Sequence, residues 1–174
     1  MTVKQVERRD KSEKPPALYD LTTLQRDANR LLGFTAQQTL DYLQNLYEKK
    51  LCTYPRTDSR YLTSDMAEGL PVLVNLVANA MLFRKGIAIS CDAAAVINDK
   101  KVTDHHAVIP TRNIREADLS ALPVGERTIL ELVALRLLCA VAQPYTFAET
   151  AVVVECAGAE FTAKGRTVKQ PGWL

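Results

Sequence analysis

One segment of the chain combines a tyrosine with an arginine two residues later, in the run Thr53-Tyr54-Pro55-Arg56-Thr57-Asp58-Ser59. A phenol is a poor nucleophile at neutral pH because its pKa is about 10. A nearby guanidinium favours the phenolate and can also hold two oxygens of a phosphate. Tyr54 could therefore attack a phosphodiester from a loop stiffened by Pro55. A packed aromatic ring beside a surface cation would give the same residues, and the residue types alone leave both interpretations open.

A second segment, Thr103-Asp-His-His-Ala-Val-Ile-Pro-Thr111, contains both histidines of the chain side by side. An imidazole can donate to a phosphate oxygen or relay a proton near neutral pH. Neighbouring side chains on a strand point to opposite faces, so at most one of His105 and His106 is expected to serve a given site. No cysteine or third histidine lies at ligand spacing, and zinc is not expected. The alternative is one exposed histidine and one hydrogen-bonded structural histidine.

The bulk composition is that of a soluble globular protein of one domain or slightly more, with 174 residues, 47% hydrophobic and 24% charged. The net charge is only +2, which does not indicate a nucleic-acid binder, so any DNA contact needs local positive charge. Basic residues do cluster, at Lys4 to Lys14, at Lys49, Lys50, Arg56 and Arg60, and at Lys164, Arg166 and Lys169.

The chain shows no sign of export or of a membrane span. Its start is polar and charged, and no apolar run approaches the ~20 residues that a spanning helix needs. The expected compartment is therefore the cytoplasm, with no membrane partner. The four cysteines, Cys52, Cys91, Cys139 and Cys156, form no CxxC pair. We expect them to be reduced and mostly buried, and assign them no function.

Four helices are predicted to position these segments. They run from Thr22 to Leu32 before a Gly33 cap, from the capping box Thr35 to Gln38 to about Lys49, from Ser64-Asp65 to about Phe83 with Pro71 able to split it, and from Pro123 to Ala142. Their expected buried stripes are Leu24, Ala28, Leu31 and Leu32; Leu40, Leu43, Leu46 and Tyr47; and Ile129, Leu130, Val133, Leu137 and Ala140. Residues 51–62 are predicted to form a loop or brief strand, and residues 84–114 to be irregular with a possible strand at Ile87 to Ile89.

The two ends of the chain have strand character. Residues 1–17 indicate a strand end and a connector, whereas Phe147 to Cys156, the turn Ala157-Gly158-Ala159 and Glu160 to Ala163 indicate a β-hairpin. We therefore predict an α+β fold, mainly helical, in which a helical insert lies between β segments from the two chain ends.

Three motifs together resemble the type IA DNA topoisomerases, and most closely the bacterial topoisomerase III type. They are Leu18 to Ala28, Thr53 to Ser59 and His105 to Thr111, in this order and spacing, and the ending Gly165-Arg166 and Pro171-Gly172-Trp173 also matches. Two other classes of protein also use some of these residue types. A tyrosine relaxase would place its histidines around a hydrophobic residue, whereas here they are adjacent. A non-catalytic DNA-binding or architectural module would bury Tyr54 away from Arg56 and His105.

The resemblance implies a role for each site residue. Tyr54 matches the nucleophile that forms a 5′-phosphotyrosine link and frees a 3′-hydroxyl. Arg56 matches the arginine that positions the scissile phosphate, and His105 matches a histidine that contacts DNA phosphate. The remaining expected DNA contacts are Thr53, Asp58, Ser59 and His106. We expect Tyr54, Arg56 and His105 to converge on one concave, basic surface. Resealing needs no ATP because the ester conserves the bond energy.

The resemblance also implies what lies elsewhere. The family pairs the tyrosine domain with an acidic, Mg²⁺-binding TOPRIM domain whose motif is not found in this sequence, so no metal ligand is expected here. The chain is then a central fragment: residues 1–17 and 144–174 are the roots of the arch, and residues 18–143 are the gate domain. Single-stranded DNA and the rest of the parent chain are the expected partners, near the nucleoid. The isolated chain is expected to be inactive.

Overall fold

The computed structural model describes residues 1–80 and 90–174. Along this part of the chain the elements are β1 (Thr2–Glu13), α1 (Leu21–Leu32), α2 (Ala36–Glu48), α3 (Leu70–Ala80), α4 (Val124–Ala140), β2 (Tyr145–Cys156) and β3 (Ala159–Gln170), with short 3₁₀ turns between them. The predicted α+β class is confirmed. The possible strand at Ile87 to Ile89, and the end of the helix predicted to reach Phe83, lie outside the described residues.

The chain forms two compact units. One consists of Met1–Pro15 with Gln143–Leu174, and the other is Pro16–Ala142. We call them the sheet unit and the helical unit. The names gate and arch, which the resemblance suggested, remain predictions.

The sheet unit is a three-stranded antiparallel sheet in the order β1-β2-β3, so it joins the two chain ends. The predicted hairpin is confirmed: Ala157 and Gly158 both have positive φ, 52° and 81°, as a two-residue type I′ turn requires. Two strands are longer than the sequence indicated. β3 continues to Gln170, past the expected Ala163, and β1 is a full strand of 12 residues.

Opposite charges pair across this sheet. Lys11 lies 2.6 Å from Glu149, and Lys169 lies 2.6 Å from Asp10. Lys4 pairs with Glu155 in the same way. Several basic residues of the runs near both chain ends are therefore paired with acidic residues of other strands of the sheet.

In the helical unit, α1 and α2 begin and end where their caps predict. Asp20 accepts from the backbone N–H of Thr23, and Gly33 ends α1 with φ 72°, a conformation that favours glycine. Thr35 and Gln38 form the predicted capping box of α2. The loop that carries Tyr54 follows directly after α2, whose C-terminal cap is Lys49.

Part of the predicted core is wrong. Leu31 is 53% exposed and Tyr47 is 40% exposed. The last turn of α1 lies at the surface, and the Tyr47 ring contacts Tyr54 instead of entering the core. α2 buries Thr39, Leu43 and Leu46.

The predicted start of the third helix at Ser64-Asp65 is wrong, whereas α4 begins one residue after Pro123. Residues Ser64–Met66 form only a 3₁₀ turn, and α3 begins at Leu70 with Pro71 in its first turn, where a missing N–H has little cost. Pro123 precedes α4 as its cap instead of lying within the first turn. All five predicted core residues of α4 are buried.

The expectation that the cysteines are mostly buried is wrong. Only Cys52 is buried, Cys91 and Cys139 are half-buried, and Cys156 is exposed. Cys156 ends β2 at the hairpin turn, which explains its exposure. None of the helices in the described residues is long and apolar enough to cross a bilayer.

Candidate active site

The loop that carries Tyr54 is held against the segment after the two histidines. Cys52 and Pro110 form an antiparallel bridge. The Thr53 backbone N–H donates to the Ile109 carbonyl at 3.0 Å. The Thr53 hydroxyl accepts from the Ile109 N–H at 3.0 Å and donates to the Ala107 carbonyl at 3.2 Å. The two motifs are thus joined edge to edge immediately beside the tyrosine.

Thr57 makes a second connection between the motifs. Its hydroxyl donates to the backbone carbonyl of His105 at 2.9 Å and accepts from the Ser59 N–H at 3.1 Å. The Thr57 carbonyl accepts from the N–H of Leu21, the first residue of α1, at 3.1 Å. Thr57 is only 6% exposed, and it was not among the candidate site residues. Nothing in the sequence around Thr57 indicates that it joins the tyrosine loop to the histidine segment.

The ring of Tyr54 lies between two other rings. Its centroid is 4.1 Å from that of the His105 imidazole, with 32° between the planes. The Tyr47 ring meets it edge-on, with centroids 5.5 Å apart. Tyr54 is half-buried and His105 is exposed. The phenol is therefore packed on its ring faces and edges while remaining partly open to solvent.

Arg56 and His105 line the same groove, a cavity of about 440 Å³ at the start of α1. Arg56 and Asp58 are exposed there. The start of α1 borders this groove, and the start of a helix carries partial positive charge that favours an anion. The complete lining is Asp20, Leu21, Thr22, Arg56, Thr57, Asp58, Thr103, Asp104 and His105. Three aspartates and one arginine are among these residues, so the expectation of a basic surface at this site is wrong.

Ser59, Thr53 and His106, which were also predicted to contact DNA, do not line this groove. Ser59 is 4% exposed, and its hydroxyl donates to the Lys101 carbonyl at 2.8 Å and accepts from the Tyr61 N–H at 3.2 Å. Like Thr53, it uses its hydroxyl within the protein, which favours a role in holding the loop over a contact with DNA. His106 is half-buried, with Nδ1 2.8 Å from the Ala107 carbonyl. Of the two histidines, it is His105 that contacts Tyr54.

The described residues do not offer a site that fits a divalent metal. Within residues 1–80 and 90–174, no group of three or more histidine, cysteine, aspartate or glutamate side chains is arranged to hold one.

The sequence of the chain is similar to those of known proteins. A family model described as DNA topoisomerase matches residues 1–174. DNA topoisomerase 3 of Bacillus licheniformis is 44% identical over 91% of the chain and 22% of its own length, and that of Bacillus subtilis is 42% identical over 98% of the chain and 24% of its own length. The chain spans about a quarter of the length of these curated relatives.

The fold is also found among solved structures. Full-length topoisomerase I from Thermotoga maritima superimposes with a TM-score of 0.70 over 97% of the chain and 27% of that protein, at 24% identity. At this identity the likeness concerns the fold alone.

Proposed function

The chain belongs to the type IA DNA topoisomerases, a family of enzymes, and we propose that it supplies the nucleophile with which such an enzyme cuts one DNA strand. The resemblance seen in the sequence is thereby confirmed at the level of the family. The proposal for the site depends on one observation: Tyr54 lies against His105, which shares a groove with Arg56.

In the proposed reaction, the phenolic oxygen of Tyr54 attacks the scissile phosphorus. The new bond is Oη–P, and the bond that breaks joins phosphorus to the 3′ oxygen of the neighbouring nucleotide. The phenol loses its proton and the 3′ oxygen gains one, so charge and atoms balance. The product is a 5′-phosphotyrosine ester and a free 3′-hydroxyl. The reverse attack reseals the strand without ATP, because one phosphoester replaces another.

Arg56 and His105 have separate parts in this step. The Arg56 guanidinium can bind two phosphate oxygens and stabilise the charge that develops on them. The His105 imidazole, beside the phenol ring, can hold a phosphate oxygen or carry the proton between the two oxygens. Thr53, Thr57 and Ser59 keep the loop in place through the hydrogen bonds described above.

Strand passage is proposed to need further domains besides this chain. Because the chain spans about a quarter of its relatives and its described residues do not fit a metal site, we propose that a longer polypeptide supplies the Mg²⁺ site through its TOPRIM domain. In that enzyme the helical unit is the gate domain and the sheet unit carries both roots of the arch. Single-stranded DNA is the proposed substrate, at the nucleoid, and the isolated chain does not relax DNA.

Identification of the modified residue tests this proposal. A full-length enzyme that carries this chain is trapped on labelled single-stranded DNA, digested, and analysed by mass spectrometry. We expect the nucleotide on the peptide that contains Tyr54. A nucleotide on any other residue would contradict the proposal. The partial exposure of Tyr54, together with its contact to His105, argues against a purely architectural module, in which this ring would lie in the core.

A further inference from the structure

A second cleft in the helical unit is lined mainly by arginine. Its volume is about 430 Å³, and its lining residues are Thr23, Arg26, Asp27, Arg30, Arg60 and Arg136. Four positive charges and one negative charge meet there, whereas the whole chain has a net charge of only +2. These four arginines come from three separate parts of the sequence, and folding brings their positive charges together in this cleft.

Two of the four arginines are accounted for by the structure itself. Arg136 is 18% exposed, pairs with Asp27, donates to the Tyr19 hydroxyl at 2.8 Å and lies 4.1 Å from the centre of the Tyr19 ring. Arg30 donates to the other oxygen of Asp27 at 3.0 Å. Burial acts to raise the pKa of Asp27, but hydrogen bonds from Tyr19 and Arg30 and the charge of Arg136 outweigh it, and the pKa is lowered. The single carboxylate of the cleft is thus already shared.

Arg26 and Arg60 have no such partner. Arg60 donates to the backbone carbonyl of Leu18 at 3.2 Å, a neutral acceptor, and Arg26 is exposed. Neither forms an ion pair within the described part of the chain. Guanidinium groups held close together repel one another, and an anion that binds between them removes this cost. Phosphate suits them because a guanidinium can donate to two of its oxygens at once.

The arginine cleft adjoins the groove of the candidate active site. Thr22 lines that groove and Thr23 lines the cleft. Arg26 and Arg30 are four and eight residues beyond Thr22 on α1, which corresponds to roughly 6 and 12 Å along the helix axis. Successive phosphates of a stacked strand are about 3.4 Å apart along its axis, so this distance spans about two to four nucleotides.

We propose that Arg26 and Arg60, backed by Arg30 and Arg136, bind backbone phosphates of the DNA strand a few nucleotides from the phosphate that lies in the groove of Arg56 and His105. This inference rests on the proposed function. The lining of the active-site groove contains three aspartates besides Arg56, so the groove itself offers little net attraction to a DNA strand. The groove positions one phosphate, and the neighbouring cleft supplies the attraction that holds the strand.

The test compares two double variants of this chain, each of which loses two positive charges from the helical unit. Arg26→Gln/Arg60→Gln removes the free guanidinium groups of the cleft, and Arg115→Gln/Arg127→Gln is the matched control outside it. Fluorescence anisotropy measures binding of a labelled 15-nucleotide single strand over a salt series. For each lost phosphate contact the slope of log affinity against log salt falls by about 0.7. We expect a fall of about 1.4 and about 10- to 100-fold weaker binding for the cleft variant, and a loss of less than about 3-fold for the control.

A charge-conserving variant guards against a folding defect. Arg26→Lys/Arg60→Lys is expected to recover most of the salt slope, because the slope counts the positive charges that neutralise phosphates. Its affinity should stay below that of the unaltered chain, because an ammonium loses the two-oxygen match of a guanidinium. Equal losses in the cleft and control variants, or no salt-sensitive binding by the unaltered chain, would overturn the inference. Tighter binding of polyglutamate than of DNA through the same arginines would also overturn it, in favour of an acidic protein segment. This binding assay involves no strand cleavage, so a failure of the nucleophile assignment stays distinguishable from a failure of this site.

Discussion

The Thr57 hydroxyl lies 2.9 Å from the backbone carbonyl oxygen of His105, and this hydrogen bond joins segments 48 residues apart. The same hydroxyl accepts from the Ser59 N–H, and the Thr57 carbonyl accepts from the start of α1. One buried residue thereby connects the tyrosine loop, the histidine segment and the helix that borders the groove. We expect the position of the His105 imidazole beside Tyr54 to depend on it.

Thr57→Val should loosen this connection while keeping the shape of the side chain. The His105 carbonyl and the Ser59 N–H both lose a partner, so the free energy of unfolding should fall by about 1–3 kcal/mol. The rate of covalent-adduct formation by the full-length enzyme should fall with it, and Thr57→Ser should restore both. Urea unfolding and adduct assays check this. Thr162→Val, on exposed β3, is the control, and an equal effect there would argue against the positioning role.

The two histidines should differ in their effect on cleavage. His105→Ala should lower the cleavage rate of the full-length enzyme by about 10²–10⁴-fold if the imidazole transfers a proton. A loss of only a few fold would indicate that it simply holds a phosphate. His106→Ala should be milder, because His106 interacts with the Ala107 carbonyl and not with Tyr54. Single-turnover cleavage rates decide between these outcomes, and a larger loss for His106→Ala would show that the roles of the two histidines are reversed.

Arg56→Lys should be severe although it conserves the charge. An ammonium group cannot match two phosphate oxygens as a guanidinium does, and the loss of one such donor typically costs about 10²–10³-fold in rate. Arg127→Lys in the same helical unit is the control and should leave the rate unchanged. Cleavage rates within a few fold for both variants would remove Arg56 from the proposed site.

The pH dependence of stability should reveal the cluster of the buried Tyr19 with the half-buried Asp27 and Arg136. Burial is the main cause that raises the pKa of Tyr19, to about 12, so its contribution is full below about pH 10 and is lost as the pH rises towards 12. The pKa of Asp27 is lowered, so its contribution is lost as the pH falls below its ordinary value of 3.8. Compared with the unaltered chain, the free energy of unfolding of Tyr19→Phe should depend less on pH between about 10 and 12. That of Asp27→Asn should depend less on pH in the acidic range. Tyr61→Phe is the control, and identical profiles for all variants would contradict the assignment.

The sequence predicted those elements whose ends carry specific chemical signals. Gly33 ends α1 with the expected left-handed conformation, and Thr35 with Gln38 begins α2 as a capping box. The length of β1 could not be predicted in this way, because its residues are mostly charged and exposed. Its twelve-residue length comes from pairing with β2, which is distant in sequence.

The site was predictable only in part for the same reason. Tyr54, Arg56 and His105 follow from the motifs, and the structure brings them to one region. Thr57 could not be found, since its partner lies 48 residues away and the motif gives no sign of a bond to a backbone carbonyl. The arginine cleft was missed because its members come from α1, the tyrosine loop and α4, and only folding collects them.

The measurement that tests the central claim most directly is the covalent-adduct yield of Tyr54→Phe beside Tyr47→Phe, both in the full-length enzyme with labelled single-stranded DNA. Tyr54→Phe keeps the ring packed against His105 and removes only the attacking oxygen, whereas Tyr47→Phe alters the adjacent ring in the same way. We predict no adduct for Tyr54→Phe and an undiminished yield for Tyr47→Phe. Adduct formation by Tyr54→Phe would contradict the assignment of the nucleophile, and loss of adduct in Tyr47→Phe alone would transfer that role to the neighbouring tyrosine.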